Sequence, residues 1–189
     1  MKKDLLETLK EKGALLGGHF LLSSGLHSPD YVQCALALKD TALARELGKD
    51  LAALWKGEKP DAVLSPAMGG LIIGHETAAA LGVDFLFAER QEGRLTLRRG
   101  FSLPAGSRVV IVEDVFTTGK STMETEELAR GLGIKALGAL SMIDRTAKPA
   151  FPFPSASLLR LALTVYEPAV CPLCAAGAPL VKPGSRTAR

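Results

Sequence analysis

Aromatic residues make up only 5% of the 189-residue chain, which leaves no stacking platform of the kind that grips single-stranded nucleic acid. Charge of one sign is equally scarce. The formal net charge is +3, too small for an electrostatic footprint on nucleic acid or an anionic membrane. No apolar stretch approaches a membrane span, and Met1-Lys2-Lys3-Asp4 leads into an amphipathic segment rather than a signal peptide. A cytoplasmic location is expected. Three cysteines are too few for a secreted disulfide framework. Two of them form Cys171-Pro172-Leu173-Cys174. A zinc site requires about four ligands, there is no second Cys pair, and His19, His27 and His75 are scattered. A thioredoxin-like motif belongs after an early strand, not near the C-terminus. Two ordinary cysteines in a terminal loop are therefore expected, with an incidental disulfide second.

What remains is ample for one α/β domain, since 47% of the residues are hydrophobic. Its organising stretch is residues 109–122. Val109-Val110-Ile111-Val112 is short and β-branched, as expected of a strand buried on both faces of a parallel sheet. Glu113 and Asp114 follow, then Thr117-Thr118-Gly119-Lys120-Ser121-Thr122, and helical spacing from Met123 to Leu132, with Ser121 and Glu124 in capping-box register. Unpaired N–H groups entering that helix, its dipole, the hydroxyls of Thr117, Thr118, Ser121 and Thr122, and a backbone opened by Gly119 together make a phosphate cradle. A charge-assisted hydrogen bond contributes about 1.5–3 kcal/mol, so a few suffice without a cationic residue. The carboxylate pair suits vicinal hydroxyls. A phosphorylated ribose satisfies both halves. A Walker A loop is excluded, because Asp114 stands where its first Gly belongs.

The rest of the chain fits around this unit. Lys2 to Lys12 reads as an amphipathic helix broken by Gly17-Gly18, and residues 19–32 as two short strands about a Ser-Gly turn, a hood over the site. Asp40 to Trp55 is a helix with a stripe of Leu43, Leu47, Leu51 and Leu54. Ala62 to Ser65 is a second buried strand, and Pro66-Ala67-Met68-Gly69-Gly70 leads from it into a helix over 71–81. The second turn is anion-sized, and two such turns on one sheet edge suit a substrate phosphorylated at both ends. After a third strand over 83–88, residues 89–100 carry Arg90, Arg94, Arg98 and Arg99. That run is either a solvated hairpin or a mobile lid whose guanidiniums meet a departing pyrophosphate. Strands over 134–143 and 157–165 follow, the first ending in Asp144-Arg145-Thr146, and the tail from about residue 180 is expected to be loose.

Four apolar residues, two acids, two apolar residues and Thr-x-Gly-x-Ser resemble the phosphoribosyl-pyrophosphate (PRPP) signature of the type I phosphoribosyltransferases. Within that superfamily the chain is similar to the orotate phosphoribosyltransferases over nearly its full length. The similarity lies in the hood Phe20-Leu-Leu-Ser23-Ser-Gly25-x-x-Ser28-Pro29-x-Tyr31, the Arg-rich loop before the PRPP motif, and Met142-Ile-Asp-Arg145. The resemblance implies a type I phosphoribosyltransferase-like α/β fold. A central parallel sheet would be flanked by helices, with an N-terminal hood over 1–35, as a single domain over 1–189. It implies PRPP on Glu113, Asp114, Val115, Phe116, Thr117, Thr118, Gly119, Lys120 and Ser121. Pyrophosphate would lie near Ala67, Met68, Gly69 and Gly70, and orotate at Thr117, Arg145, Ser23 and Tyr31.

The resemblance further implies a catalytic lid of Arg90, Arg94, Arg98 and Arg99 shared across a homodimer. It also implies Mg²⁺ held by substrate and water oxygens, with no direct protein ligand. Two departures stand out. Many bacterial members carry Lys where this chain has Ser23, and their lid commonly holds Lys and His where this one has only arginines. Arginine keeps the charge but supplies no general acid at neutral pH. A phosphoribosyltransferase for another base, or a PRPP-binding regulator of the same fold, is the alternative. The strand-end Arg145 and the hood argue against the first, and the Arg-rich lid against the second.

Overall fold

A computed structural model describes residues 4–22, 24–146 and 151–183. They fall into two compact units, one made of residues up to Ala37 together with those from Ala162 onward, the other of Leu38–Leu161.

The first unit opens with α1 (Leu5–Glu11), capped by the Asp4 carboxylate, which accepts the Leu6 N–H. Next comes an antiparallel pair, β1 (Leu15–Leu21) and β2 (His27–Val32), in the register Leu15↔Val32 to Leu21↔His27. Gly17 and Gly18, expected to break the helix, come after it has ended at Glu11. They lie inside β1, at a register shift between Gly17 and Phe20, where a strand tolerates glycine at a bulge. The Ser-Gly turn is present, with Gly25 at φ 88°. A short helix, α2 (Cys34–Leu38), closes the N-terminal part.

The second unit begins with α3 (Thr41–Leu54), whose N-cap is Asp40, accepting the Leu43 N–H at 3.1 Å. It continues through β3 (Ala62–Pro66), α4 (Gly70–Leu81), β4 (Asp84–Gln91), β5 (Arg94–Leu97), β6 (Arg108–Phe116), α5 (Lys120–Gly131), β7 (Lys135–Asp144) and β8 (Ser155–Arg160). The six strands form one sheet in the order β5-β4-β3-β6-β7-β8. All neighbours are parallel except the β4–β5 pair. Val109, Val110, Ile111 and Val112 are wholly buried, as are Val63 on β3 and Met142 and Ile143 on β7, which is why these strands read as unbroken apolar runs. Helices α3, α4 and α5 pack against the sheet, and α3 and α4 pack on each other.

The arginine-rich run is a hairpin. β4 and β5 pair from Ala88↔Leu97 to Gln91↔Arg94, joined by Glu92 and Gly93, both at positive φ, the geometry that matches strand twist in a two-residue turn. The last strand is shorter and earlier than expected, Ser155–Arg160 rather than 157–165, and runs parallel to β7.

Beyond it the chain rejoins the first unit, where α6 (Pro172–Ala175) follows a 3-10 turn at Pro168–Val170. Val181, expected to begin a loose tail, bridges to Phe20, its N–H donating to the His19 carbonyl at 2.8 Å. Among the described residues no helix is long and apolar enough to cross a membrane.

Candidate active site

β3 and β6 are neighbours, paired from Ala62↔Val109 to Leu64↔Ile111. The chain leaves β3 for β4 on one side and β6 for β7 on the other. Their carboxyl ends therefore border a topological switch point, where open α/β sheets leave a ligand crevice. Both turns singled out in the sequence line it. Residues 67–69 join β3 to α4, and residues 117–119 join β6 to α5. The peptide between Ala67 and Met68 is cis. A Cβ on Gly69 would sit 2.5 Å from Asp114 Oδ1, and one on Gly70 would sit 2.8 Å from the Val112 carbonyl. Only glycine lets the first turn close on the carboxylate. The third motif lies on the next strand of the same edge. Phe116 pairs with Asp144, and the Arg145 N–H donates to the Phe116 carbonyl at 2.8 Å, beside Thr117.

The two acids belong to the last turn of pleat in β6 and do not merely follow the strand. Glu113 is buried, and Asp114 is half-buried. Asp114 Oδ1 accepts the Val115 N–H at 2.8 Å, and Glu113 Oε2 accepts the Asp114 N–H at 3.2 Å. Burial pushes the Asp114 carboxyl above the ordinary aspartate value, against the lowering effect of its hydrogen bonds with Glu113 and the Val115 N–H. Two carboxylates this close resist ionising together unless hydroxyl donors or a cation face them.

Helix α5 starts one residue before Ser121. Its N-cap is Gly119, at φ 76°, with no side-chain capping bond. The predicted capping box therefore does not form as drawn. Ser121 sits inside the first turn, and Thr118 Oγ1 accepts the Lys120 N–H at 3.3 Å. Gly119 takes the left-handed conformation that a side chain would resist. The helix's first N–H groups thus face the turn with no capping side chain at Gly119, and α4 likewise begins at Gly69 without a side-chain cap. Two helix starts whose N-caps are glycines thus lie on one edge of the sheet, the geometry in which backbone N–H groups can meet an anion.

The family model described as "Phosphoribosyl transferase domain" matches residues 37–153. The orotate phosphoribosyltransferase of Carboxydothermus hydrogenoformans is 46% identical over 97% of each chain. That of Thermotoga maritima is 46% identical over 95% of this chain and 97% of its own. Among solved structures, the orotate phosphoribosyltransferase of Aeropyrum pernix superposes with a TM-score of 0.66 at 28% identity, covering 83% of this chain and 93% of that one. This chain belongs to the orotate phosphoribosyltransferase family.

Against the family pattern, the arginines divide into two kinds. Arg90 reaches across to the Glu124 carboxylate on α5 and donates to the Gly93 carbonyl. Arg99 grips Glu89 through two bonds of 2.8 and 2.9 Å and lies 5.8 Å over the Phe87 ring, holding the Glu89 carboxyl below its ordinary range. Arg94 and Arg98 are exposed. Of the hood residues, Ser23 lies outside the described residues, while Tyr31 packs on Phe20 with ring centroids 5.7 Å apart. At the opposite, amino edge of the sheet a depression is lined by Lys59, Asp61, Asp84 and Arg108, with Arg108 paired to Asp61 at 3.0 Å. The Glu113–Asp114 pair and the starts of α4 and α5 lie at the carboxyl ends of the strands instead.

The raised Asp114 value carries a sign. A carboxyl whose folded pKa exceeds its unfolded one contributes stability that is full below the unfolded value. That contribution is lost as pH rises through the folded value. Asp114→Asn keeps the acceptor for the Val115 N–H and removes the buried charge. At neutral pH the variant should melt at a higher temperature than the parent without ligand, with the gap closing in acid, while turnover falls by about a hundredfold. Paired melting curves across pH with steady-state rates check both halves; a lower melting temperature at neutral pH would contradict the assignment.

Proposed function

We propose that the protein transfers the phosphoribosyl group of PRPP to orotate, giving orotidine 5′-phosphate and pyrophosphate, a step of pyrimidine biosynthesis. The observation that carries this reading is the approach of Gly69 to Asp114, which puts an anion-sized turn and a carboxylate pair in one crevice. PRPP has phosphate at both ends and vicinal hydroxyls between.

In this reading the 5-phosphate lies on Val115–Ser121, taking N–H groups at the start of α5 and the hydroxyls of Thr117 and Thr118. Glu113 and Asp114 accept the ribose hydroxyls, and Ala67–Gly70 present backbone N–H groups to the pyrophosphate. The donor set also suits Mg²⁺. Asp114 is held above its ordinary value by burial, so a nearby cation would favour its ionised form. Bound through substrate and water oxygens, the ion would supply charge neutralisation on the leaving pyrophosphate.

Arg145 reads the orotate carboxylate, for which a planar guanidinium is well matched. Thr117, next to the Phe116 carbonyl that accepts the Arg145 N–H, serves the same base. As the bond from C1′ to pyrophosphate lengthens, the sugar carbon becomes oxocarbenium-like, and orotate N1 forms the new bond from the other face. The protein contributes positioning and charge stabilisation rather than a nucleophile. Arg90 and Arg99, through Glu124 and Glu89, hold the hairpin. The exposed Arg94 and Arg98 meet the pyrophosphate, in a homodimer where each lid serves the neighbouring subunit. A closed lid excludes the water that would hydrolyse PRPP.

Incubation with PRPP, Mg²⁺ and a panel of bases should consume orotate alone, and Arg145→Ala should raise the KM for orotate by about ten- to a hundredfold, with the KM for PRPP little changed. Turnover of adenine or uracil instead, or an unmoved orotate KM, would overturn the base assignment. Mixing Arg98→Ala chains with Asp114→Asn chains should restore part of the activity that each has lost, because a hybrid dimer holds one intact site. No recovery in verified hybrids would show that the lid acts within its own subunit.

A further inference from the structure

The C-x-x-C set aside in the sequence is not alone in the fold. His19 on β1 and His27 on β2 are buried, with 3% and 5% of their surface exposed, and their ring centroids are 4.8 Å apart. The chain that returns beyond Ala162 pairs with both edges of the hairpin. Tyr166 exchanges two backbone hydrogen bonds with His27, and Val181 bonds to His19 and Leu21. Between those bridges lie the 3-10 turn and α6, with Cys171 as the N-cap of α6 and Cys174 inside it. This brings His19 Nε2, His27 Nδ1, Cys171 Sγ and Cys174 Sγ within 4.8 Å of one another. His19 and His27, scattered in the sequence, meet the two cysteines in three dimensions because a hairpin and a returning tail bring them together.

We propose that these four atoms hold one structural Zn²⁺. The His19 Nε2–Cys171 Sγ, His19 Nε2–Cys174 Sγ and His27 Nδ1–Cys174 Sγ distances are 3.6, 3.7 and 3.3 Å. A tetrahedron with Zn–N near 2.05 Å and Zn–S near 2.3 Å has N···S edges of about 3.6 Å. The two nitrogens are 2.9 Å apart, short of the about 3.3 Å edge of such a site, and a cation between them would spread them by a few tenths of an ångström. His19 Nδ1 is 2.9 Å from the Ala178 carbonyl. Its proton must therefore be on Nδ1, which leaves the Nε2 lone pair aimed into the cluster, the usual outer support of a metal-bound imidazole.

Charge agrees with geometry. Both cysteines are free thiols. Two thiolates with two neutral imidazoles balance one divalent zinc. Four protein ligands leave no open position, so the ion is structural rather than catalytic. Among the described residues of the unit it would staple, the wholly buried apolar side chains are Leu9, Ala14 and Ala37, and small cores commonly rely on such a clip.

Protein purified under reducing conditions, incubated with Zn²⁺ alone and desalted should retain one zinc per chain by elemental analysis. Stripped protein given Co²⁺ should show the intense visible bands of a tetrahedral thiolate site. Cys174→Ser and His27→Asn should each weaken zinc retention by at least about tenfold. Retention of far less than one equivalent by the parent protein overturns the proposal, and that measurement decides the matter even if the variants fail to fold. Retention unchanged in both variants, or thiol counting that finds Cys171 and Cys174 joined as a disulfide in the reduced preparation, overturns it as well.

Discussion

The pairing of β3 with β6 is the constraint on which the rest depends. It sets two parallel strands side by side at the point where the chain turns away in opposite directions, so two βα turns face each other across one crevice. Everything functional follows from how closely those turns approach. Gly69 lies where any Cβ would collide with Asp114, and Gly119 takes a left-handed conformation that opens the start of α5. The wholly buried Val109–Val112 segment anchors the strand beneath them, and a rigid strand is a better support for positioning groups than a loop.

The same arrangement is costly to the fold. Glu113 is buried beside a half-buried Asp114, and burial raises the Asp114 carboxyl. A protein selected for stability alone would not place them there. The cost makes sense if hydroxyl groups and a cation arrive with the substrate, since they would stabilise the paired charges. The arginines show the complementary economy. Glu89 and Glu124 engage Arg99 and Arg90, which shapes the hairpin and leaves Arg94 and Arg98 exposed at its surface.

Much of this was legible in the chain, for identifiable reasons. Unbroken β-branched runs mark strands buried on both faces, so β3 and β7 were visible with nearly their observed limits, whereas β6 was read as Val109–Val112 alone and in fact runs on through the acids to Phe116. The acid pair and the two turns were visible because their residue types have a chemical meaning at a strand end. Local signals failed where a longer-range choice won. Ser121 and Glu124 have capping-box spacing, yet the helix starts earlier because Gly119 can adopt positive φ. Gly17 and Gly18 look like a breaker, yet pairing with β2 carries the strand through them. The His and Cys cluster was hidden because its members are separated by most of the chain, and neither periodicity nor motif spacing reports a contact closed by the return of the C-terminal segment.

The account is tested most directly by a crystal structure of the protein with PRPP and Mg²⁺. It predicts the 5-phosphate at the start of α5, on residues 117–121, the ribose hydroxyls on Glu113 and Asp114, and the pyrophosphate against Ala67–Gly70. Ordered PRPP elsewhere, with the crevice between the β3 and β6 turns left to solvent, would contradict it.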